Sequence, residues 1–220
     1  MDTCLCVFTK SPVCGQVKTR LLPVLTEQQA YDTHIHLMQH CLSQTQGHDW
    51  QSQLWATDTS HPYIKEIACR SGMTLYKQQG KNLGERMAFA ARESLAGFQY
   101  VVIIGTDCPS LDADLINAAV TKLRSGLDVV LGPAVDGGYV LVGLSLMVEN
   151  IFTNIEWGTD RVLETTRSRL EEAGLNYYEL EVQRDIDRPS DLEYLQQAYA
   201  TLFHSIGVSL SLPQSDHEPG

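Results

Sequence analysis

The sequence predicts an α/β fold, a single Rossmann-like three-layer domain with a mostly parallel sheet. Short β-rich apolar runs alternate with longer stretches of helical periodicity, which is typical of a parallel sheet covered by helices. The uninterrupted run YVVIIG at 100–105 is typical of a central parallel strand. A chain of 220 residues is long enough for one such domain and too short for two. We place this domain in residues 1–205, followed by a flexible polar tail at 206–220.

Each element has a local signal. Strands are expected over seven apolar runs, at residues 3–8, 53–57, 73–77, 100–104, 128–132, 139–144 and 177–182. Helices are expected over residues 26–46, 82–95, 112–125, 160–173 and 190–204. Thr26 with Gln29, and Asn82 with Glu85, have the spacing of capping pairs that begin helices. Gly174 favours the end of one helix.

Composition narrows the class of partner. A formal net charge of -11 and a pI near 5.0 argue against nucleic acid and against an anionic membrane surface, because both favour a basic face. No apolar run approaches the roughly 18 residues of a membrane span, and no export signal is visible, so we expect a cytoplasmic protein. The six cysteines form no CxxC pair and are expected to be reduced thiols.

Acidic residues follow two of the expected strands. Asp107 follows the run at 100–105, at the carboxyl end where ligands bind in open α/β sheets. No lysine or arginine is its sequence neighbour, which favours a magnesium or manganese ligand, although Asp107 could simply begin a loop. Asp185 and Asp187 share a face if the last strand continues, and Asp187 could complete the metal site. Asp191 is expected to stabilise the start of the last helix.

The stretch KSPVCGQVKTRLLP, residues 10–23, concentrates basic residues after the first strand. It is neither a Walker loop nor a GxGxxG motif. The turn through Gly15 brings Lys10, Lys18, Thr19 and Arg20 together, where backbone amides and three cations could hold a polyphosphate. A solvated basic turn explains the same residues, and the residues themselves leave both interpretations open.

Two further stretches have a structural and a functional interpretation. In GPAVDGGYVLVG, residues 132–143, Asp136 and Gly137 between two apolar runs predict a hairpin. Gly138 and Tyr139 could in addition let the backbone approach a ligand closely. The segment 157–159, WGT, either packs at the start of the following helix or forms the wall of a pocket.

Taken in order, six motifs resemble a known family. They are KSPVCGQVKTRL, NLGERM, GTDCPSL, GPAVDGGYVLVG, WGTDRVLETT and RDIDRPSDL. Over residues 3–200 the chain resembles DUF2064, a bacterial family described as glycosyltransferase-like within the nucleotide-diphospho-sugar transferase superfamily. It is more distantly similar to phospholactate guanylyltransferase and to molybdenum-cofactor nucleotidyltransferases, whose KTRL or KSRL segment contacts nucleotide phosphates. The resemblance implies the GT-A type of fold.

The resemblance also implies roles for particular residues. The nucleotide-binding residues it implies are Lys10, Gly15, Lys18, Thr19, Arg20, Leu83, Gly84, Arg86 and Thr106, with Glu85 beside them on the base and ribose side. The implied metal ligands are Asp107 and Asp187, for Mg²⁺ or Mn²⁺. We add Gly137, Gly138, Tyr139, Trp157 and Thr159 as substrate-binding residues. The predicted catalytic residues are Lys18, Arg20, Asp107 and Asp136, with Asp136 or Asp185 as the general base.

These residues lead to one preferred function and two alternatives. The preferred function is a metal-dependent transfer of a glycosyl group from a nucleotide sugar to a small acceptor. The alternatives are a guanylyl- or cytidylyl-type nucleotidyltransferase that releases pyrophosphate, and a nucleotide-binding module without turnover. The glycine-rich turn of typical nucleotidyltransferases is reduced to Gly15, and the DxD of sugar-nucleotide transferases is replaced by TDC, so the bond that is broken stays open. A homodimer is compatible with these hypotheses.

Overall fold

A computed structural model describes residues 1–46 and 49–207. Within these ranges the strands are β1 (Thr3–Thr9), β2 (Gln51–Ala56), β3 (Thr74–Lys77), β4 (Tyr100–Gly105), β5 (Val129–Pro133), β6 (Tyr139–Leu144) and β7 (Tyr177–Glu179). The α-helices are α1 (Glu27–Gln44), α2 (Pro62–Arg70), α3 (Leu83–Leu95), α4 (Ala113–Arg124), α5 (Val162–Glu172), α6 (Pro189–Ala198) and α7 (Ala200–Ser205). Short 3-10 helices cover Thr19–Leu21 and Glu149–Ile151.

The strands form one mostly parallel sheet in the order β3-β2-β1-β4-β6-β5-β7. Strand β6 runs antiparallel to its neighbours β4 and β5, and the other pairings are parallel. The predicted hairpin through Asp136 and Gly137 is confirmed as the β5–β6 connection. The predicted α/β fold with a mostly parallel sheet is therefore confirmed.

Two apolar clusters cover the faces of the sheet. Strand β1 is central and contributes to both, with Leu5 and Val7 on one face and Cys4, Cys6 and Phe8 on the other. This position explains why all its residues are buried, as expected for a parallel strand covered by helices on both sides.

A third cluster lies between α1, α6 and α7 and reaches the carboxyl edge of the sheet. Leu21, which follows the basic loop, packs there with Ile186 and Leu192. Ile206, the first residue of the predicted tail, is also buried in this cluster. The rest of the predicted tail, apart from Gly207, lies outside the described residues.

Most helix signals act as predicted. Thr26 caps α1 in a capping box with Gln29, and Asn82 caps α3 through its side chain. Asp112, the first residue of the expected helix 112–125, caps α4 in the same way. Asp191 accepts hydrogen bonds from the backbone amides of Asp187 and Arg188, the structural role predicted for it.

Three elements differ from the prediction. Helix α2 was not among the expected helices, although Pro62 at its first turn and the helical spacing of its buried residues Ile64, Ile67 and Ala68 are signals of a helix. The single helix expected over 190–204 is two helices, because the backbone leaves the helical region at Tyr199. The last strand ends at Glu179 instead of continuing to 182.

All six cysteines are free thiols, and four of them are buried. In the described part of the chain, no helix combines the length and the apolar character that crossing a membrane requires.

Candidate active site

Four segments meet at one edge of the sheet. Strands β1 and β4 run parallel, so the segments that follow Thr9 and Gly105 lie at the same edge. Because β6 is antiparallel to β4, its first residue, Tyr139, lies there too, together with the turn that follows β5. The arrangement is the carboxyl edge where open α/β sheets bind ligands.

The fourth segment, residues 183–187, crosses this edge after β7. The Gln183 amide donates to the Pro133 carbonyl at 2.8 Å, and the Gln183 carbonyl accepts from the Val135 amide at 3.0 Å. Further along, the Ile186 amide donates to the Asp107 carbonyl at 2.9 Å. These backbone bonds hold Asp185 and Asp187 beside the end of β4, which the sequence could only suggest.

A cavity of about 290 Å³ opens at this edge. Its polar and backbone lining includes Arg20, Gly105, Asp107, Cys108, Asp136, Gly138, Gly158, Thr159, Asp185 and Asp187. Its apolar lining includes Phe8, Leu83, Met87, Ile103, Ile104, Ala134, Tyr139, Val140, Val142, Trp157 and Val162. The site therefore combines a carboxylate-rich rim with an apolar floor, a common composition for a small-molecule site.

The basic loop divides its cations between the interior and the cavity. The Lys18 side chain is only 3% exposed, and its Nζ lies 2.9 Å from Asp107 Oδ1 and donates to the Ile186 carbonyl. Lys18 also has a left-handed backbone conformation, with φ 51°, which is uncommon for a residue other than glycine. Arg20 is 49% exposed, lines the cavity and pairs with Asp187 at 2.7 Å. Arg20 is thus the cation of this loop that a ligand in the cavity can reach.

The sequence argument that Asp107 has no cationic partner is wrong, because the fold brings Lys18 to it from a distant part of the chain. Burial of Asp107 Oδ1 tends to raise the pKa of this carboxyl group, but the charges of Lys18 and His34 outweigh it and lower the pKa. Asp107 is therefore held as a carboxylate. Its side chain is still 45% exposed and lines the cavity.

Asp185 differs from Asp107, because its surroundings raise its pKa instead of lowering it. Partial burial raises its pKa, and the charges of Asp136 and Asp107 add to this effect, so the pKa rises to about 6. A carboxyl group with this pKa can exchange a proton near neutral pH, as a general base or acid must. Asp136 itself accepts a hydrogen bond from the Gly138 amide at 2.9 Å, which fixes the turn.

The apolar wall explains two glycines. Tyr139 and Trp157 form an edge-to-face pair with centroids 6.1 Å apart. A Cβ on Gly84 would lie 2.1 Å from the Phe152 carbonyl oxygen and 2.5 Å from Trp157 Nε1, so only glycine lets α3 pack against this segment. Gly137 has φ 85°, and a Cβ on it would lie 2.2 Å from the Asp160 carbonyl oxygen. Both glycines shape the site rather than line the cavity.

The structure brings together most of the predicted residues. Those that line the cavity are Arg20, Leu83, Asp107, Asp136, Gly138, Tyr139, Trp157, Thr159 and Asp187. The pocket-wall interpretation of segment 157–159 is thus the one that the geometry favours.

The other predicted residues do not line the cavity, and each has a local role or position. Lys10 is exposed, and its carbonyl contacts His34 Nε2 at 2.9 Å. Gly15 provides a turn with φ 76°, and the exposed Thr19 begins a 3-10 helix. Arg86 donates to the Gly80 carbonyl at 3.1 Å, and the buried Thr106 donates to Thr9 Oγ1 at 3.3 Å.

Several lining residues were not predicted as site residues. Phe8, Met87, Ile103, Val142 and Val162 have the periodicity of core residues, and this periodicity gives no sign that they face a cavity. Phe8 is the last apolar residue of β1, so its position at the strand end was the one available signal.

The donor chemistry of the rim suits a divalent metal. Mg²⁺ and Mn²⁺ prefer carboxylate oxygens, and four aspartates line this cavity. Across residues 1–46 and 49–207, however, no three His, Cys, Asp or Glu side chains are grouped so that they could hold a metal ion. The assignment of Asp107 and Asp187 as metal ligands therefore stays a prediction.

Comparison with solved structures identifies the fold. A protein from Desulfovibrio desulfuricans G20, assigned as a nucleotide-diphospho-sugar transferase, matches with a TM-score of 0.79 and 25% identity, covering 93% of this chain and 98% of that one. A cytidylyltransferase from Leptospira borgpetersenii matches with a TM-score of 0.60 and 14% identity over 97% of this chain and 100% of the other. The chain therefore has the fold of the nucleotide-diphospho-sugar transferases.

A third solved structure shares this fold with bound ligands. Glucosyl-3-phosphoglycerate synthase from Mycobacterium tuberculosis, in complex with Mn²⁺, UDP and glucosyl-3-phosphoglycerate, matches with a TM-score of 0.51 and 12% identity, over 95% of this chain and 81% of that one.

The sequence comparison defines the family. The model of DUF2064, described as an uncharacterized protein conserved in bacteria, matches residues 40–159, more than half of the chain. The chain belongs to the DUF2064 family. No curated protein matches it in sequence.

Proposed function

We propose that this protein is a nucleotide-binding transferase that moves a glycosyl group from a nucleotide sugar to a small acceptor, with residues 1–205 as its single domain. One observation carries the proposal: Arg20 and four aspartates line the same cavity at the carboxyl edge of the sheet. The likeness to the D. desulfuricans protein, assigned as a nucleotide-diphospho-sugar transferase, supports the choice of donor.

The donor's diphosphate would lie against Arg20. This guanidinium is exposed, and a bidentate contact from it to a phosphate gives both charge and orientation. To bind the phosphate it must give up or share its contact with Asp187, which is partly solvated and therefore weak. Lys10, on the exposed start of the loop, adds positive charge nearby.

In the transfer, the bond between the sugar's anomeric carbon and the diphosphate oxygen breaks, and a bond forms from that carbon to the acceptor's hydroxyl oxygen. The leaving diphosphate keeps the electron pair of the broken bond, and Arg20 is placed to stabilise its added negative charge. Asp185 accepts the proton of the acceptor hydroxyl, because its raised pKa lets it take up a proton near neutral pH. Asp136, which also lines the cavity and whose charge acts on Asp185, is the other candidate base.

A divalent cation would be held by Asp107 and Asp187 together with the donor's phosphates. Two carboxylates plus substrate phosphates and water are a common ligand set for Mg²⁺ and do not require a third protein ligand. When bound, the metal would neutralise the diphosphate as it leaves.

The test is thermal stabilisation by a panel of nucleoside diphosphates, nucleoside triphosphates and nucleotide sugars, with and without Mn²⁺. A ligand at a hundredfold excess over its dissociation constant stabilises the native state by about 2.7 kcal/mol. Arg20→Met should weaken binding of the preferred donor by about tenfold or more, because it loses a charge-assisted contact.

Arg124→Met is the matched control. Arg124 is 45% exposed and ion-paired with Asp2, much as Arg20 is with Asp187, but it lies at the opposite edge of the sheet. The Arg124→Met variant should bind the donor as tightly as the wild type does. Selective stabilisation by nucleoside triphosphates, with pyrophosphate release, would assign nucleotidyl transfer instead. Binding without turnover of any donor would indicate a binding module, and the absence of binding to every nucleotide would refute the proposal.

A further inference from the structure

The position of Lys18 does not suit a ligand of the donor's phosphates. Its side chain is 3% exposed, and the ammonium group contacts Asp107 and the Ile186 carbonyl. Among the residues of the basic loop, Arg20 lines the cavity and Lys18 does not. Reaching a phosphate in the cavity would require Lys18 to break both contacts and leave a buried position.

The contacts of Lys18 join three separate segments. Lys18 belongs to the loop after β1, Asp107 follows β4, and Ile186 belongs to the segment after β7. The left-handed backbone of Lys18 is part of the same arrangement, because it begins the 3-10 helix that places Leu21 against Ile186. A conformation of this kind persists only when the surrounding contacts hold it in place.

The ammonium group therefore lies close enough to Asp107 for its charge to repel a metal ion bound there. Asp107 can offer an oxygen to the cavity, since its side chain is 45% exposed, while Oδ1 faces Lys18. Two cations on one carboxylate repel each other strongly at short distance when water is partly excluded. Lys18 and a divalent cation are thus expected to oppose each other at this carboxylate.

We propose that Lys18 is the resident counter-ion of Asp107, that it competes there with a divalent cation, and that it does not bind the donor's phosphates. The inference rests on the metal site in the proposed function. Its consequence is that the free protein binds the metal weakly, and that the negative charge of the donor's phosphates is needed to offset the charge of Lys18.

The test is the affinity for Mn²⁺ alone, measured from the electron paramagnetic resonance signal of the free ion. Lys18→Met keeps an unbranched side chain up to Cε but removes the charged ammonium group, and it should bind Mn²⁺ about tenfold more tightly than the wild type, a change of about 1.4 kcal/mol. Arg124→Met, an equal change of net charge at the opposite edge of the sheet, should leave the affinity unchanged. Adding Asp107→Asn to Lys18→Met should abolish the gain.

An unchanged or lower Mn²⁺ affinity in folded Lys18→Met overturns the inference, because a residue that only supports the structure would not raise affinity when it is lost. Should this variant fail to fold, acylation of amines in the wild type replaces it. Excess Mn²⁺ should then speed labelling of Lys18 relative to the exposed Lys65 of α2, and an unchanged ratio overturns the inference.

The two proposals fail separately. If nucleotide sugars bind and turn over but Lys18→Met gains no affinity for Mn²⁺, the proposed function is supported and the counter-ion role of Lys18 is refuted. A gain in Mn²⁺ affinity without binding of any nucleotide leaves the counter-ion role intact and refutes the transferase.

Discussion

Asp185 provides the most quantitative prediction, because its environment opposes its charge. Its pKa rises from 3.8 to about 6, through partial burial and through the charges of Asp136 and Asp107. Replacing the carboxyl group by the uncharged amide of Asn removes this opposition while keeping nearly the same shape. We therefore predict that Asp185→Asn stabilises the protein at neutral and higher pH.

The magnitude follows from the shift of about two pKa units, each of which corresponds to about 1.4 kcal/mol. The native state holds this proton more tightly than the unfolded state, so the carboxyl group costs stability as the pH rises through the range from about 4 to about 6. The full cost at higher pH is about 3 kcal/mol, and roughly half of it develops between about pH 5 and about pH 8. Below about pH 4 the carboxyl group is protonated in both states and the cost vanishes.

The assay is urea unfolding of the wild type and of Asp185→Asn across this pH range, with a chelator present so that no metal binds. The stability difference should grow with pH in favour of the variant. Asp187→Asn, two residues away, loses the ion pair with Arg20 and should show no such gain. A difference that is independent of pH, or that favours the wild type at high pH, would refute the argument that Asp185 is held near two other carboxylates.

Two further predictions concern the frame of the site. Gly84→Ala should lower the free energy of unfolding by about 2 kcal/mol or more, because the new Cβ would lie 2.1 Å from the Phe152 carbonyl oxygen. Urea unfolding measures this loss. Gly97→Ala is the control and should be nearly neutral, because a Cβ there meets no atom within 4 Å. Arg167→Gln should lower the free energy of unfolding by about 1 kcal/mol, because it breaks a bidentate pair with Glu179 at 2.6 and 2.7 Å. This loss should shrink at high salt. An equal loss at all salt concentrations would contradict an ionic origin.

The sequence was sufficient for the architecture because its signals are local. The apolar run at 100–105, the capping pair of Thr26 and Gln29, and the Asp136–Gly137 turn each specify an element without help from distant residues. Helix α2 also has local signals, in Pro62 and in the helical spacing of Ile64, Ile67 and Ala68, but its nine residues are too short a stretch to have been recognised. The break at Tyr199 had no recognisable signal, because it depends on packing between elements, which the sequence pattern does not record.

The site could be predicted only in part, for the same reason. The residues at strand ends could be found, because a parallel sheet gathers its carboxyl ends at one edge. The pairing of Lys18 with Asp107, across 89 positions of sequence, could not be found, because it depends on how a loop folds back over the sheet. For this pair, sequence neighbours were a poor guide to charge compensation.

The net charge of the whole chain explains why the pairing of Lys18 with Asp107 matters for binding an anionic donor. At a net charge of -11 the protein repels an anionic donor at long range, so recognition must come from short-range contacts in the cavity. The rim itself is acidic, since Asp107, Asp136, Asp185 and Asp187 face Arg20 alone among the cations that line the cavity in the described part of the chain. An anionic donor therefore needs more positive charge than the protein offers in the open cavity. A divalent cation that arrives with the donor would supply that charge, while Lys18 would keep Asp107 compensated in the absence of both.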